Sequence, residues 1–369
     1  MLNYEAKNPK SILRDALIDP SPDLKGMELA YPQIFGVPGL VENGVGSGRS
    51  IDMTPSNGRS GALTGKLLVR DKRDLLAAAS RGTVAKPVGS PRDLVEGFPY
   101  KEVEFTLKQF DGMKRELIKH LENGFLMSAD REIHLVQECM FATHLKLERY
   151  AAAFFTNLSN ESAVRDPAPW TNVKWDDPQV GGTDLDSSTD FMEVFSSVLQ
   201  DARLRSTSPI TSAYMSRRVG EKLAREASVL GRAVSGDATK GLAMVNGATA
   251  MPIEHVKAVF AQFFGITDVV FSGAIHDTAN PGQAQNSSYI WPDDRMWIGS
   301  AAPTTISLEG NSTKVLSGSG AFAKLIGSMD VVMAPEQKNM PAYFEAISEY
   351  ICEDVCLDAD KGTIIYDLA

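Results

Sequence analysis

The chain has 369 residues, 43% of them hydrophobic and 23% charged, with 30 glycines and 19 prolines. That length asks for two compact units or one elaborated unit, and that composition excludes disordered, collagenous and coiled-coil chains. A net charge of −10 argues against general binding to nucleic-acid backbones or anionic membranes. No apolar run approaches the roughly 18 residues needed to span a bilayer. The charged start MLNYEAKNPKSILRDALI has no signal-peptide core, so secretion is not expected. Cys139, Cys352 and Cys356 then read as reduced thiols, and the Asn-X-Ser matches at Asn157, Asn160 and Asn286 carry no weight.

In chain order, residues 1–42 carry Pro9, Pro20, Pro22, Pro32 and Pro38 and predict an extended arm with little packing. The glycine-rich stretch GVGSGRS at 44–50 lacks the Gly-Lys-Ser/Thr ending of a phosphate-binding loop and predicts a flexible loop. A strand at 63–69 leads into a basic stretch, and a second strand alternates as Val103, Phe105 and Leu107. Together they form a long hairpin-like excursion with little apolar content, whose ~20-residue arms would reach about 60 Å. Met113, Leu117, Ile118 and Leu121 predict a short helix stopped by Gly124.

Ser128 then caps a long helix reaching about residue 157, roughly 45 Å in length. Its apolar stripe is Val136, Met140, Leu147, Tyr150 and Phe154, with Glu138, Lys146 and Arg149 off that face. A polar loop at 176–188 precedes an amphipathic helix marked by Phe191, Val194, Phe195, Val198 and Leu199. Further helices are predicted near 211–226 and 252–264, the latter opened by Pro252. Strands are predicted at 267–273, 288–291, 295–299, 304–308 and 328–334, and a closing hairpin joins 343–357 to 363–368 through a turn at 358–362.

Charge is unevenly spread. Residues 59–92 carry eight basic residues against Asp71 and Asp74, a net +6, while residues 341–360 carry six acids and no Lys or Arg. The plain reading is two solvated faces; the sharper one sets the basic segment of one molecule on the acidic segment of another. The contacts then expected are Arg70, Lys72, Arg73, Arg81 and Lys86 with Glu345, Glu349 and Glu353. Residues 59–92 contain no Phe, Tyr or Trp, so stacking on nucleic-acid bases is unsupported.

Candidate chemistry is thin. His134 and Glu138 lie one helical turn apart, but His134 and His144 are ten residues apart, which is not the i, i+4 spacing of a helical two-histidine site. Asp184 and Asp186 resemble the start of a calcium loop that lacks its glycine and terminal glutamate. Cys352 and Cys356 have no neighbouring histidine in sequence, and the five histidines fall in no Ser/His/Asp order. No catalytic, metal or cofactor site is expected, and the protein reads as a non-enzyme built to contact copies of itself.

Seven stretches, in this order, carry a family resemblance: LLVRDKRDLLAAASRGT, YKEVEFTLKQFDGMKRELIKHL, SADREIHLVQECMFATHLKLERYAAAFFT, PITSAYMSRRVGEKLAREASVLG, PIEHVKAVFAQFFGITDVVFSGAI, YIWPDDRMWIG and YICEDVCLDADKGTIIYDL. From about Tyr31 to Leu368 the chain resembles the tailed-phage major capsid proteins of the Hong Kong 97 type. The resemblance implies an α+β fold with an N-terminal arm at 1–55 and an extended E-loop at 56–102. It implies a peripheral domain from 103–187, around a spine helix at 128–157, completed by a C-terminal hairpin at 334–369, and an axial domain at 188–333. It further implies a structural protein of the virion that assembles in the host cytoplasm into pentamers and hexamers of an icosahedral head. Double-stranded DNA would be enclosed without sequence-specific binding. Scaffolding, portal and decoration proteins are the implied partners; with Met1 at the start, a separate scaffolding protein is expected in place of a cleaved segment. A cellular nanocompartment shell would use the same residues. The different-class alternative is a metal-dependent enzyme using His134, Glu138, Asp184 and Asp186.

Overall fold

A computed structural model describes residues 27–35, 49–52, 64–70, 100–117, 128–158, 170–182, 191–206, 208–230, 251–279, 283–301, 304–308, 314–318, 320–336 and 343–368. Helix α1 (Tyr31–Phe35) comes first, then strands β1 (Ser50–Asp52), β2 (Thr64–Arg70), β3 (Tyr100–Thr106) and β4 (Lys108–Leu117), and the 29-residue spine helix α2 (Ser128–Thr156). Strand β5 (Thr171–Lys174), helix α3 (Phe191–Arg205), strand β6 (Ser212–Ser216), helix α4 (Arg217–Leu223) and helix α5 (Ile253–Val259) follow, α5 running into a π-helical turn at Phe260–Phe264. Then come β7 (Asp268–Ser272), β8 (Ile275–Asp277), β9 (Ser287–Tyr289), β10 (Met296–Gly299), β11 (Thr304–Leu308) and β12 (Lys314–Gly318). Two long strands, β13 (Phe322–Glu336) and β14 (Tyr343–Cys356), precede a 3₁₀ turn at Ala359–Lys361 and the last strand, β15 (Gly362–Tyr366).

The first sheet has the order β1-β13-β14-β4, the second β5-β15-β10-β6-β7 and the third β11-β12-β2-β3, with β8 and β9 forming a separate pair. Helix α2 packs on β4 and β14 with the stripe its sequence predicts: Val136, Met140, Leu147, Tyr150 and Phe154 are all buried. Close approach is set by Gly112 on β4, where a Cβ would lie 2.8 Å from the Cys139 carbonyl oxygen and from Thr143 Oγ1. The YAAAFF end of α2 enters an aromatic core in which Phe155 has the rings of Phe154, Tyr214, Trp297 and Phe322 within 5.2 Å, centroid to centroid. A second core gathers α3, α4, α5 and the second sheet around Phe191, Phe195, Phe260 and Phe264.

The structure corrects several expectations. Residues 113–117 are strand: the i, i+4 spacing of Met113 and Leu117 imitates a helix, but β4 pairs antiparallel with β14 from Lys108↔Cys352 to Leu117↔Tyr343. Residues 118–127 lie outside the described residues. The predicted helix at 211–226 begins as the wholly buried strand β6, and α4 starts only after Ser216, whose Oγ accepts from Val219 N at 3.2 Å. The closing segments do not pair as a hairpin. Strand β14 runs between β13 and β4, whereas β15 runs between β10 and β5, so 343–357 and 363–368 belong to different sheets. Part of the expected arm is packed, with Ala30, Tyr31, Ile34 and Phe35 all at most 2% exposed. The paired strands β2 and β3 are likewise held, Leu67 and Phe105 packing with Ile51, Leu107, Leu325 and Val355, while residues 71–99 of the expected excursion lie outside the described residues.

Because the helix–sheet gap at Gly112 has no room for a methyl group, Gly112→Ala forces a shift between two rigid elements and should cost about 1–3 kcal/mol. The measurement is chemical denaturation: the midpoint should fall while the slope is unchanged.

Candidate functional site

The structure divides the residues expected at self-assembly contacts. Arg70 ends β2, but its side chain and the whole of Lys72, Arg73, Arg81 and Lys86 lie outside the described residues. Two of the three expected acids have partners within the chain. Glu345 is bonded to the Nε of Arg115 and only 9% exposed, and Glu353 accepts from Tyr150 Oη at 2.7 Å with Lys108 Nζ at 3.8 Å. Neighbouring Asp354 is fully buried beside Lys324 Nζ at 2.8 Å. Glu349 alone of the three is half-exposed on β14 and, among the described residues, without an ion-pair partner.

Glu138 is ion-paired with Lys114, and Asp184 and Asp186 lie outside the described residues. Among the described residues no group of three or more His, Cys, Asp or Glu side chains is placed to hold a metal ion. The three cysteines are free thiols; burial raises the pKa of Cys139 and pushes that of Cys352 up to about 12.

What the structure does assemble is a polar clasp in the molecular interior. Glu148 on α2 is fully buried, and its two oxygens accept four hydrogen bonds. Ala30 N (3.0 Å), Ser272 Oγ (2.7 Å) and Trp291 Nε1 (2.6 Å) donate to Oε1, and Tyr31 N (2.7 Å) donates to Oε2. Burial raises its pKa, and the donors, led by Tyr31 N, work in the opposite direction. Two of the donors are backbone amides at the start of α1, so a spine-helix carboxylate caps a helix about 117 residues earlier in sequence.

Two further contacts hold the same segment. Arg49 donates to the carbonyls of Ala301 (2.7 Å) and Ile34 (3.0 Å), to Tyr214 Oη (3.0 Å) and to Asp268 Oδ2 (2.8 Å). Lys324 Nζ, 2.8 Å from Asp354, also stands 4.1 Å and 4.2 Å from the ring centroids of Tyr31 and Phe35. The expected flexible loop at 44–50 therefore ends in the anchored residues Arg49 and Ser50, Ser50 beginning the strand that pairs in parallel with β13.

Sequence reasoning passed over Glu148, Arg49 and Lys324. For Glu148 a signal existed: it lies four and seven residues before Ala152 and Phe155 in a helix end that is apolar all round. An acid on that line must be inside, and a buried acid must find donors. Nothing in sequence marked Arg49 or Lys324, because their partners come from segments remote in the chain.

No protein-family model and no curated protein sequence matches this chain. Among solved structures, it is similar to a phage-related protein from Bordetella bronchiseptica RB50, with a TM-score of 0.55 and 13% identity over 92% of each chain. Weaker likenesses are to Gordonia phage Cozz (TM-score 0.48, 10% identity, 92% of this chain and 86% of that one) and to the phage G major capsid and decoration proteins (TM-score 0.43, 9% identity, 87% and 88%). The chain shares the α+β fold of that phage-related protein.

Glu148→Ala strands four buried donors and should cost roughly 3 kcal/mol or more. Hydrogen exchange should quicken on the order of a hundredfold at Ala30 and Tyr31, with a smaller effect for Glu148→Gln, which keeps one acceptor oxygen. A second expectation concerns His144, which lines a small cavity with Ser348, Glu349 and Tyr350 and whose burial lowers its pKa from 6.5 to about 4. The folded chain favours neutral imidazole. Its contribution to stability is therefore complete above about 6.5 and is lost as pH falls from there through 4. Unfolding midpoints across that window should flatten in His144→Gln.

Proposed function

We propose that this chain is the repeating subunit of an icosahedral shell, a tailed-phage major capsid protein that is structural and non-catalytic. The observation that carries the reading is the whole-chain likeness in fold to a phage-related protein, over 92% of both chains. The architecture supports it: a 29-residue helix braces one sheet, and the paired strands β2 and β3 are anchored in a small core. On this reading the chain forms pentamers and hexamers around double-stranded DNA, with scaffolding, portal and decoration proteins as partners and the virion as its place. A closed shell divides its burial among many separate contacts, each of moderate size. Such contacts can be made and remade while the subunit keeps its own shape.

The test is light scattering and negative-stain microscopy of the full chain, alone and with a co-expressed scaffolding protein. Closed particles, or discrete pentamers and hexamers, are expected. A 40.0 kDa monomer under every condition would sink the reading. Particles that enclose a protein cargo in place of DNA would move it to a cellular nanocompartment.

A further inference from the structure

Lys324 on β13 and Asp354 on β14 stand directly opposite each other in the first sheet. Their side chains are 1% and 0% exposed, with Nζ 2.8 Å from Oδ1. The next driest ion pair among the described residues, Lys361 with Asp358, is 6% and 22% exposed. Rings wall the amine, the centroids of Tyr31 and Phe35 lying 4.1 Å and 4.2 Å from Nζ. Cys352, two residues before Asp354, is buried in the same sheet, and burial pushes the pKa of its thiol up to about 12. Burial likewise raises the pKa of the Tyr31 and Tyr350 hydroxyls, so all three of these groups stay neutral around the pair.

A dry ion pair keeps its charges only where further hydrogen bonds reach the ammonium and the carboxylate. Lys324 Nζ has three protons to place. Among the described residues it makes no hydrogen bond of ordinary angle, even to the oxygen 2.8 Å away. The two ring faces attract the cation but accept no proton along a hydrogen-bond line. One proton transfer removes both charges and leaves a neutral amine against a neutral carboxylic acid. That amine is a nucleophile, and the paired strands hold it against the group it can attack, with the entropy of encounter already spent in folding. Bulk water, which drives the reverse reaction of amide hydrolysis, is shut out of the site.

We propose that Lys324 and Asp354 of one chain condense to an isopeptide bond that ties β13 to β14. Nζ gives a proton to the carboxylate and attacks Cγ; the Nζ–Cγ bond forms and one Cγ–Oδ bond breaks. The departing oxygen leaves as water with two of the three ammonium protons, and the third stays on the amide nitrogen. Nothing is oxidised or reduced, and no co-reactant is needed. The bond closes a covalent loop from 324 to 354 beneath the rings of Tyr31 and Phe35, so the seat of α1 no longer depends on an ion pair. This inference is independent of the shell reading.

The experiment is intact-mass spectrometry of the full chain, kept folded overnight at its growth temperature and then denatured. The chain should weigh about 18 Da less than its sequence requires, one water per molecule. A proteolytic digest should yield a branched peptide joining the Lys324 fragment to the Asp354 fragment, and the denatured chain should run ahead of an unlinked one on a gel. The control is Lys324→Met with Asp354→Leu, an apolar pair of similar volume that suits the same dry site. It should show the full sequence mass and give no branched peptide. If that variant does not fold, the branched wild-type peptide decides the matter alone. A wild-type chain at full mass, with the two residues in separate peptides, would show an ion pair only and overturn the proposal. A mass deficit that persists in the folded double variant would place the lost water elsewhere and overturn it too.

Discussion

A carboxylate in a dry interior must be surrounded by donors, and Glu148 meets that demand by drawing three distant parts of the chain to one point. Its four partners are all neutral: two amides at the start of α1, a serine at the end of β7 and the indole of Trp291. Removing any one of those segments would leave an acid in a low-dielectric core short of hydrogen bonds, so the segments come together or not at all. The rest of the joint elaborates this constraint. Arg49 fastens the chain beyond α1 to β7 through Asp268 and to Tyr214, and Lys324 lies between Asp354 and the rings of Tyr31 and Phe35. Aromatic contacts around Phe155 fill the space between them.

Such a joint fixes the interior packing through groups that lie inside the chain. The two faces of the first sheet differ. Toward α2 it is packed so closely that one added methyl group at Gly112 would meet backbone. Away from α2 it carries an exposed methionine and acids set opposite one another, an arrangement that does nothing for the stability of an isolated chain.

Where an element's reason lies in local periodicity, the sequence made it legible. The spine helix, α3 and the paired strands β2 and β3 were each readable from apolar spacing and caps, because their buried faces are set by residues three, four or two apart. Where the reason lies in a remote partner, reading failed in a consistent direction. Residues 113–117 have helical spacing but are held as strand by β14, more than 200 residues further on. The segments 343–357 and 363–368 look like one hairpin, yet each finds two other strands to pair with. The −6 segment looks like a solvated acidic surface, while Glu345, Glu353 and Asp354 are in fact turned to partners within the chain.

The sequence by itself determined the fold class, the long helix and its buried stripe, and an order of elements that resembles one capsid family. Each of these follows from composition and short-range spacing, which every stretch of chain carries within itself. The tertiary structure decided which charges are interior and which are left over. Lys324 and Asp354 are indistinguishable in sequence from surface residues, and Glu349 from its neighbours Glu345 and Glu353. Whether a charged side chain is satisfied depends on donors and counter-ions brought from tens to hundreds of residues away, and only the folded chain fixes those distances.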